Sequence, residues 1–376
     1  MRYFLVVGEA SGDAHAAELM RGILGADAQA EFRYFGGEAM RRVASGCVLD
    51  IGALAIMGFW EVVTHLRRIA RNEKICRNAI AEFNPDAVIL VDFAGFNLRI
   101  AKYCHLAGLK VFFYIAPKVW AWKEGRIGKL RDWVDYLMVI LPFEPGWFAK
   151  RGIDTIYEGN PLVDELAGDT TLAVGSEVFK NQNGLDERPL VALLPGSRLQ
   201  ELRYNLGVMA RLAALFPSYQ FAVAAAPNLE REVYERLLSE HPEVRVVYGA
   251  THRLVKEAQA AVVTSGTATL ETAMLGVPEV VVYKGNRLTI WIARRIVKLK
   301  WISLVNLILG REAVRELLQE DYTLENTRRE LEAILPGGAK RSGVLASIGT
   351  LQGEMGDVGV SARLGRRVVE LTGAWG

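Results

Sequence analysis

The chain has 376 residues, more than a single hydrophobic core usually serves, so we expect two domains. Hydrophobic residues make up 51% of the sequence, which excludes a disordered chain, and a net charge of +2 gives no bulk argument for nucleic acid. Its three cysteines have no metal-ligand spacing, no apolar run reaches the roughly 20 residues of a membrane span, and the N-terminus lacks a signal-peptide pattern, so we expect a cytoplasmic protein.

Short apolar runs alternate with helical patterns along most of the chain. The predicted strands of the first half are residues 3–7, 32–35, Ala87–Val91, 111–114 and 136–140. Amphipathic stretches such as 14–24 and 98–106 lie between them. A polar, glycine-containing stretch at 166–188 interrupts this order. The predicted strands then continue at Leu190–Leu194, Gln220–Ala225, 244–248, 260–263 and Glu279–Tyr283.

This order predicts an α/β protein with two Rossmann-like doubly wound domains facing a central cleft. We expect a first domain at 1–165, a linker at 166–188, a second domain at 189–345 and a helical tail at 346–376. Such sheets bind ligands beyond the carboxyl ends of their strands, which suits a nucleotide-sugar transferase.

Two strand-to-helix turns of the second domain have the composition of phosphate-binding turns. The first contains Gly196, Ser197 and Arg198, which offer a tight turn, a helix cap and a forked cation. The second places Ser265, Gly266, Thr267 and Ala268 at a helix start, followed by Glu271. Glu271 could accept hydrogen bonds from two ribose hydroxyls or serve as a capping carboxylate, and the Arg198 turn could be a plain turn with a surface arginine.

The sequence contains no Asp-x-Asp string, which metal-dependent transferases usually use to hold the diphosphate. We therefore expect no metal and no cofactor, with helix dipoles and Arg198 stabilising the leaving group.

The first domain offers a candidate base after a buried strand. Asp92 follows Ala87–Val91, where partial desolvation would raise its pKa, although Asp92 could also be a turn or N-cap residue. His15 is the alternative base, interpreted here as a solvated helix-face histidine. Gly12 would let a ligand approach the backbone, and Asp13 could contact substrate or cap a helix.

Two basic, apolar stretches are candidate membrane contacts. In 57–74 the candidate residues are Met57, Phe59, Trp60, Arg67, Arg68 and Arg71. In 284–301 they are Trp291, Arg294, Arg295, Lys298 and Trp301. Basic amphipathic helices with tryptophan lie in the lipid interface, although a core-facing stripe with a solvated basic face gives the same pattern. No recognised nucleic-acid motif accompanies them.

Together these motifs resemble the lipid-A-disaccharide synthase family over nearly the full length. The resemblance includes Gly8-Glu-Ala-Ser-Gly-Asp13, Met57-Gly-Phe-Trp-Glu61, Asp92 with Phe96-Asn97, Val119-Trp-Ala-Trp122, Leu141-Pro-Phe-Glu144 and Leu194-Pro-Gly-Ser-Arg198. It continues through Ser265-Gly-Thr-Ala268 with Glu271, Asn306 with Gly310-Arg311, and Glu316-Leu-Leu-Gln319.

The resemblance implies a GT-B fold and a metal-independent, inverting transfer at the inner-membrane surface. It implies the donor UDP-2,3-diacylglucosamine, the acceptor 2,3-diacylglucosamine 1-phosphate, a β(1→6) linkage and release of UDP. Asp92 is implied as the essential carboxylate, and Asn306, Arg311 and Gln319 join Arg198 and Glu271 at the UDP or phosphate site. Dimers that exchange C-terminal segments are implied for relatives, so we expect the tail at 346–376 either to pack back on the first domain or to be exchanged in a homodimer.

Some positions depart from the family pattern. Ala94 and Val305 stand where proline is frequent, and Asn160 stands where some relatives have histidine. These departures concern loop shape and acyl preference rather than the reaction. Three alternatives remain: another UDP-sugar glycolipid transferase of the same fold, a non-catalytic UDP-sugar-binding protein, and a nicotinamide oxidoreductase, which the missing GxGxxG opposes.

Overall fold

A computed structural model describes residues 1–53, 62–285 and 300–374 of the chain. The chain forms two compact units, one made of Met1–Asp164 with Gly356–Gly376 and the other of Glu165–Met355. None of the helices in these described ranges is long and apolar enough to cross a membrane.

The first unit contains a seven-stranded parallel sheet. Its strands are β1 (Arg2–Val6), β2 (Glu31–Gly36), β3 (Cys47–Asp50), β4 (Ala87–Val91), β5 (Lys110–Tyr114), β6 (Tyr136–Met138) and β7 (Thr155–Ile156). They lie in the order β3-β2-β1-β4-β5-β6-β7, so the strand order reverses between β1 and β4. All residues of β4 and β5 are buried, because helices cover both faces of the sheet.

Helices connect these strands. They are α1 (Ala10–Ala26), α2 (Glu38–Arg41), α3 (Val62–Phe83), α4 (Ala94–Leu106), α5 (Ile127–Trp133) and α6 (Glu144–Ala149). Short 3-10 turns precede α3 and α5, at Ile51–Ala53 and Glu124–Arg126.

The second unit repeats this plan with six parallel strands. They are β8 (Leu190–Leu194), β9 (Gln220–Ala225), β10 (Arg245–Tyr248), β11 (Ala258–Thr264), β12 (Glu279–Tyr283) and β13 (Arg315–Leu318). Their order is β10-β9-β8-β11-β12-β13, which places the reversal between β8 and β11. Ligands of doubly wound sheets bind at such reversals, beyond the carboxyl ends of the strands.

The helices that follow along the chain are numbered in sequence order. They are α7 (Leu162–Gly168), α8 (Ser176–Gln182), α9 (Leu199–Ala210), α10 (Leu212–Leu215), α11 (Arg231–Leu237), α12 (Thr251–Glu257), α13 (Thr267–Met274), α14 (Leu304–Leu309), α15 (Leu324–Ile334), α16 (Arg341–Glu354) and α17 (Val360–Gly373). A 3-10 turn at Thr170–Ala173 lies between α7 and α8.

The C-terminal tail is divided between the two units. Helix α16 belongs to the second unit, whereas α17 packs on α1 in the first. Glycines face each other where α17 crosses α1, because a Cβ on Gly365 would collide with the backbone of Gly22. The carboxylate of Asp164 accepts hydrogen bonds from the N–H groups of Gly359, the residue before α17 (2.6 Å), and of Ser361 in its first turn (2.8 Å).

The stretch expected as a linker differs from that expectation. Residues 166–188 contain helical segments and belong to the second unit, where Phe179 and Leu185 are buried in the core. The polar run around residue 181 suggested an irregular connection because its apolar residues are few and widely spaced.

Candidate functional site

Strained backbone marks the carboxyl edge of the first sheet at its strand-order reversal. Asp92 (φ +46°) and Phe93 (φ +44°) follow β4, and Ile115 (φ +62°) follows β5, all in the left-handed region. Such conformations are unfavourable for residues other than glycine, above all for a β-branched one, and they concentrate at functional sites.

A buried asparagine holds this edge in place. Asn97 on α4 donates from Nδ2 to the carbonyl oxygens of Asp92 (2.8 Å), Val91 (3.1 Å) and Val6 (3.3 Å). The ring of Phe93 lies directly over Gly8, where any Cβ would overlap it. Asn97 and Gly8, each part of a motif named above, thus hold the backbone at Asp92 and Phe93 in place.

Asp92 is a solvent-exposed residue, yet the protein atoms around its carboxyl group partly desolvate that group and shift its pKa. Desolvation raises the pKa of Asp92, nearby Glu9 raises it further, and Lys118 opposes both. Burial lowers the pKa of His15 on α1, which favours the neutral imidazole. The raised pKa of Asp92 agrees with the desolvation that the sequence predicted for this carboxyl group, whereas the lowered pKa of His15 makes that imidazole a weaker proton acceptor.

Asp13 has a structural position rather than the predicted substrate contact. Its buried carboxylate accepts hydrogen bonds from the N–H groups of Gly37 (2.6 Å) and Ala39 (2.8 Å), and so caps α2. Gly12, its neighbour on α1, is also buried, against Val7 and Val91. The carboxylate is committed to these backbone donors, which corrects the interpretation of Asp13 as a ligand contact.

The second unit contains a pocket of about 440 Å³ at its own strand-order reversal. Both predicted turns line it, together with residues after β9 and at the start of α12. The predicted residues among its lining are Gly196, Ser197, Arg198, Ser265, Gly266, Thr267, Ala268 and Glu271. Asn205 connects the two turns, donating to the carbonyl of Pro195 (3.3 Å) and to Oγ1 of Thr264 (2.9 Å).

In the first turn, a glutamate carboxylate of the protein occupies the backbone N–H groups. Glu201 on α9 accepts hydrogen bonds from the N–H groups of Ser197 (3.1 Å) and Arg198 (3.3 Å). Gly196, at φ +109°, leaves room for this carboxylate, which a Cβ would meet. The expected anion-binding amides of Ser197 and Arg198 are therefore occupied by a capping glutamate. The side chain of Arg198 is 83% exposed and lies 3.6 Å from Oε1 of Glu201, so it is the group of this turn that can reach a ligand.

The second turn has open donors. The N–H groups of Gly266, Thr267 and Ala268, at the start of α13, have no acceptor within the described parts of the chain. Thr269 Oγ1 and Ser265 Oγ instead donate to carbonyl oxygens, at Gly266 (2.9 Å) and Ile302 (3.0 Å). Free amides at a helix N-terminus attract an anion, so this turn is the stronger candidate of the two for binding a phosphate.

Three charged side chains form a row that ends at the pocket, where Glu271 belongs to the lining. Asp169 Oδ2 lies 2.6 Å from Nδ1 of His252, and Nε2 of His252 lies 3.6 Å from Oε2 of Glu271. Glu271 and then Asp169 raise the pKa of His252 to about 9 against the effect of desolvation. The imidazole is therefore positively charged at neutral pH and faces a pocket-lining carboxylate.

Three residues implied by the resemblance lie outside this pocket's lining. Asn306 is fully buried, with Nδ2 donating to Val314 O (2.8 Å) and Glu316 Oε1 (2.9 Å) and Oδ1 accepting from Ala313 N (2.7 Å). Its side chain thus holds the loop before β13, which corrects its interpretation as a direct ligand contact. Arg311 donates to Ser347 Oγ (2.9 Å), and Gln319 lines a separate cavity of about 440 Å³ beside Lys284.

The predicted membrane contacts lie largely outside the described residues. These are Met57, Phe59, Trp60, Trp291, Arg294, Arg295 and Lys298, and the side chain of Arg67. Of the others, Arg71 is exposed, Arg68 is half-buried on α3, and half-buried Trp301 has the ammonium of Lys300 4.5 Å from its ring centre. In the described ranges, no cluster of three His, Cys, Asp or Glu side chains could hold a metal ion.

Two doubly wound units, each with a reversal of strand order, and a pocket at the reversal of the second unit correspond to the GT-B architecture. Solved structures with this fold include an S. aureus MnaA–UDP co-structure (TM-score 0.67, 10% identity, covering 99% of this chain and 97% of that one) and CalG4, the calicheamicin glycosyltransferase (TM-score 0.62, 16% identity, 100% and 99%).

The family model for lipid-A-disaccharide synthetase matches residues 3–347. The chain is 36% identical to the lipid-A-disaccharide synthase of Myxococcus xanthus (98% of this chain, 97% of the relative) and 35% identical to that of Syntrophotalea carbinolica (98% and 95%). The chain belongs to the lipid-A-disaccharide synthase family, and it is a glycosyltransferase of lipid A disaccharide formation that uses a UDP-sugar donor and a lipid acceptor.

The sequence interpretation missed several residues around the site. Glu201, Asn205 and His252 position backbone or side chains that were predicted. Glu201 stands three residues after Arg198, the spacing of a capping glutamate, so that signal was present. His252 and Asp169 lie 83 residues apart, and no local pattern joins them.

Proposed function

We propose that the enzyme condenses UDP-2,3-diacylglucosamine with 2,3-diacylglucosamine 1-phosphate, forming a β(1→6) bond and releasing UDP. The observation that carries this proposal is the pocket of the second unit, about 440 Å³ in volume, whose lining includes an exposed arginine and three backbone amides that have no acceptor among the described residues. Membership of the lipid-A-disaccharide synthase family supports the choice of these acylated sugars.

The diphosphate of the donor is assigned to the turn at Gly266–Ala268, with Arg198 as its cation. Arginine matches phosphate oxygens with paired donors, and the start of α13 adds the positive end of a helix dipole. Glu271, one turn further along α13, is assigned to the ribose hydroxyls. These fixed charges would stabilise the charge that develops on UDP as the leaving group, and no metal has a role in this proposal.

Asp92 is assigned as the general base. In an inverting transfer the 6-hydroxyl oxygen of the acceptor attacks the anomeric carbon of the donor, and the bond from that carbon to the diphosphate oxygen breaks. The hydroxyl proton passes to the carboxylate of Asp92, and the bonding electrons leave with UDP. A raised pKa improves a carboxylate as a proton acceptor, and the left-handed backbone at Asp92 fixes its direction.

Peripheral association with the inner membrane completes the proposal. Acylated substrates reside in lipid, where each acyl CH₂ kept from water contributes about 0.8 kcal/mol. Residues 57–74 and 284–301 combine basic and apolar side chains in the composition of interfacial helices. Reversing the charge of Arg294 and Arg295 together is expected to weaken binding to anionic liposomes. Unchanged liposome binding would remove 284–301 from the proposed membrane contacts. We also propose that the protein forms a homodimer.

The test is UDP release by purified protein given both lipid substrates in detergent. Wild type is expected to need both, and Arg198→Ala is expected to lose about 10- to 100-fold in kcat/KM for the donor, the worth of a charge-assisted hydrogen bond. Arg203→Ala, which removes an exposed arginine of α9, the helix that follows Arg198, is the matched control and should behave as wild type. Equal losses in both variants, or none in either, would contradict the assignment of Arg198.

A further inference from the structure

The carboxylate proposed to hold the ribose has a cationic support that no sequence motif identifies. Glu271 lines the pocket, and Nε2 of His252 lies 3.6 Å from its Oε2. That distance makes an ion pair rather than a short hydrogen bond. Both side chains are mostly buried, with 15% of His252 and 23% of Glu271 exposed, so water screens their attraction only partly.

His252 is itself fixed from its other side. Asp169 Oδ2 lies 2.6 Å from Nδ1 of His252, and a second oxygen of Asp169 accepts from Thr171 N (2.8 Å). The neighbouring Arg253 donates to Val174 O (2.8 Å), so the start of α12 is tied twice to the segment 169–174. The imidazole can therefore rotate little, and Nε2 is the ring nitrogen that faces Glu271.

The two carboxylates beside His252 favour its protonated form. Two carboxylates flank one imidazole, and together they raise the pKa of His252 to about 9, with Glu271 contributing most and desolvation opposing. Although desolvation is the largest influence on Asp169 and raises its pKa, hydrogen bonds from Thr171 and His252 lower it overall.

We propose that His252 is a positioning residue, which, held by Asp169, orients the Glu271 carboxylate toward the ribose of the bound nucleotide. This proposal rests on the proposed function, because it takes the ligand of Glu271 to be the ribose. His252 does not line the pocket, whereas its neighbour Thr251 does. Its effect on the nucleotide must therefore pass through Glu271.

The ligand chemistry separates this role from a purely structural one. A misdirected Glu271 weakens only the contacts to the ribose hydroxyls, whereas a damaged fold weakens binding to any uridine diphosphate. UDP and 2′,3′-dideoxy-UDP share the base and the diphosphate and differ only in those hydroxyls. The ratio of their affinities therefore reports the ribose contact alone.

The experiment is calorimetric titration of both nucleotides into wild type, His252→Gln, Glu271→Gln and the double variant. His241→Gln is the matched control, because it removes another imidazole–carboxylate pair (to Glu243, 3.3 Å) of the same unit away from the pocket. We expect His252→Gln to weaken UDP binding about 10-fold, with dideoxy-UDP binding changed less than 2-fold. Glu271→Gln should lose at least as much, the double variant should lose no more than Glu271→Gln, and His241→Gln should match wild type.

Equal weakening of both nucleotides by His252→Gln would overturn the proposal, since the histidine would then be structural. Unchanged UDP binding would overturn it as well, since Glu271 would need no support. If Glu271→Gln itself left the UDP to dideoxy-UDP ratio unchanged, the assignment of the ribose to Glu271 would fail first, and the positioning role with it. The single Glu271 variant thus distinguishes failure of the proposed function from failure of this inference.

Discussion

A fully buried carboxyl group in the second unit allows a sharp test of the structure. Glu279, the first residue of β12, is 1% exposed, and neither of its carboxyl oxygens has a hydrogen-bond partner in the described structure. Desolvation, followed by the charges of Glu316 and Glu271, raises the pKa of Glu279 well above its usual value. The folded protein therefore holds this proton, and an uncompensated negative charge is avoided.

The magnitude follows from linkage. The unfolded chain releases the Glu279 proton near its ordinary pKa of about 4.3, while the folded state keeps it. Because the folded pKa is raised, the contribution of Glu279 is fully present below that pH and is lost as the pH rises. The loss is about 1.4 kcal/mol for each pH unit above the unfolded pKa for as long as the folded state stays protonated.

The assay is denaturant unfolding of wild type and Glu279→Gln followed by circular dichroism at several pH values. The difference between the two proteins cancels other titrating groups, so Glu279→Gln should gain on wild type steadily above about pH 4.5. Glu240→Gln, an exposed glutamate of the same unit, is the control and should show little pH-dependent gain. A stability difference for Glu279→Gln that did not change with pH would refute the reasoning.

Other predictions concern the ion pair, the helix crossing and the helix cap. The folded pKa of His252 is about 9, so its charge contributes stability that is complete below pH 6.5 and lost as the pH rises to 9. The free energy of unfolding of His252→Gln should lack this fall, which is up to about 3 kcal/mol in size. Gly365→Ala should lower the free energy of unfolding by about 1–3 kcal/mol in denaturant melts, because its Cβ overlaps the α1 backbone, whereas Gly25→Ala, with open space around it, should be neutral or stabilising. Asp164→Ala should cost about 1–2 kcal/mol and speed amide exchange at the start of α17, and unchanged exchange there would contradict its capping role.

Much of the fold could be predicted because its strands are buried on both faces. Ala87–Val91 and Leu190–Leu194 are continuous apolar runs, and the predicted and observed bounds agree. The edge strands Cys47–Asp50, Thr155–Ile156 and Arg315–Leu318 were not predicted, because they are short and their side chains are only partly apolar. Their place is fixed by pairing with a neighbour rather than by their own pattern.

Site residues with a local sequence pattern could likewise be predicted, and those without one could not. The turns at Arg198 and Gly266 were predicted because glycine and hydroxyl residues directly after a strand have a local physical meaning. Asp13 and Asn306 were interpreted as ligand contacts. The partners of Asp13 are backbone N–H groups 24 and 26 residues away, whereas those of Asn306 are backbone groups 7 and 8 residues on and the carboxylate of Glu316, and no local motif pairs them. The pair of Asp169 and His252 was missed for the same reason.

The central claim is that Asp92 is the base of a metal-independent glycosyl transfer. The most direct test is UDP release from both lipid substrates by wild type, Asp92→Asn and the exposed-residue control Asp132→Asn, each with EDTA. We expect wild type and the control to turn over in EDTA, and Asp92→Asn to lose about 10²- to 10⁴-fold in kcat with little change in UDP affinity. Near-normal turnover of Asp92→Asn would contradict the account and make His15 the next base to test, and folded wild-type protein that binds UDP without turnover would contradict catalysis with these substrates.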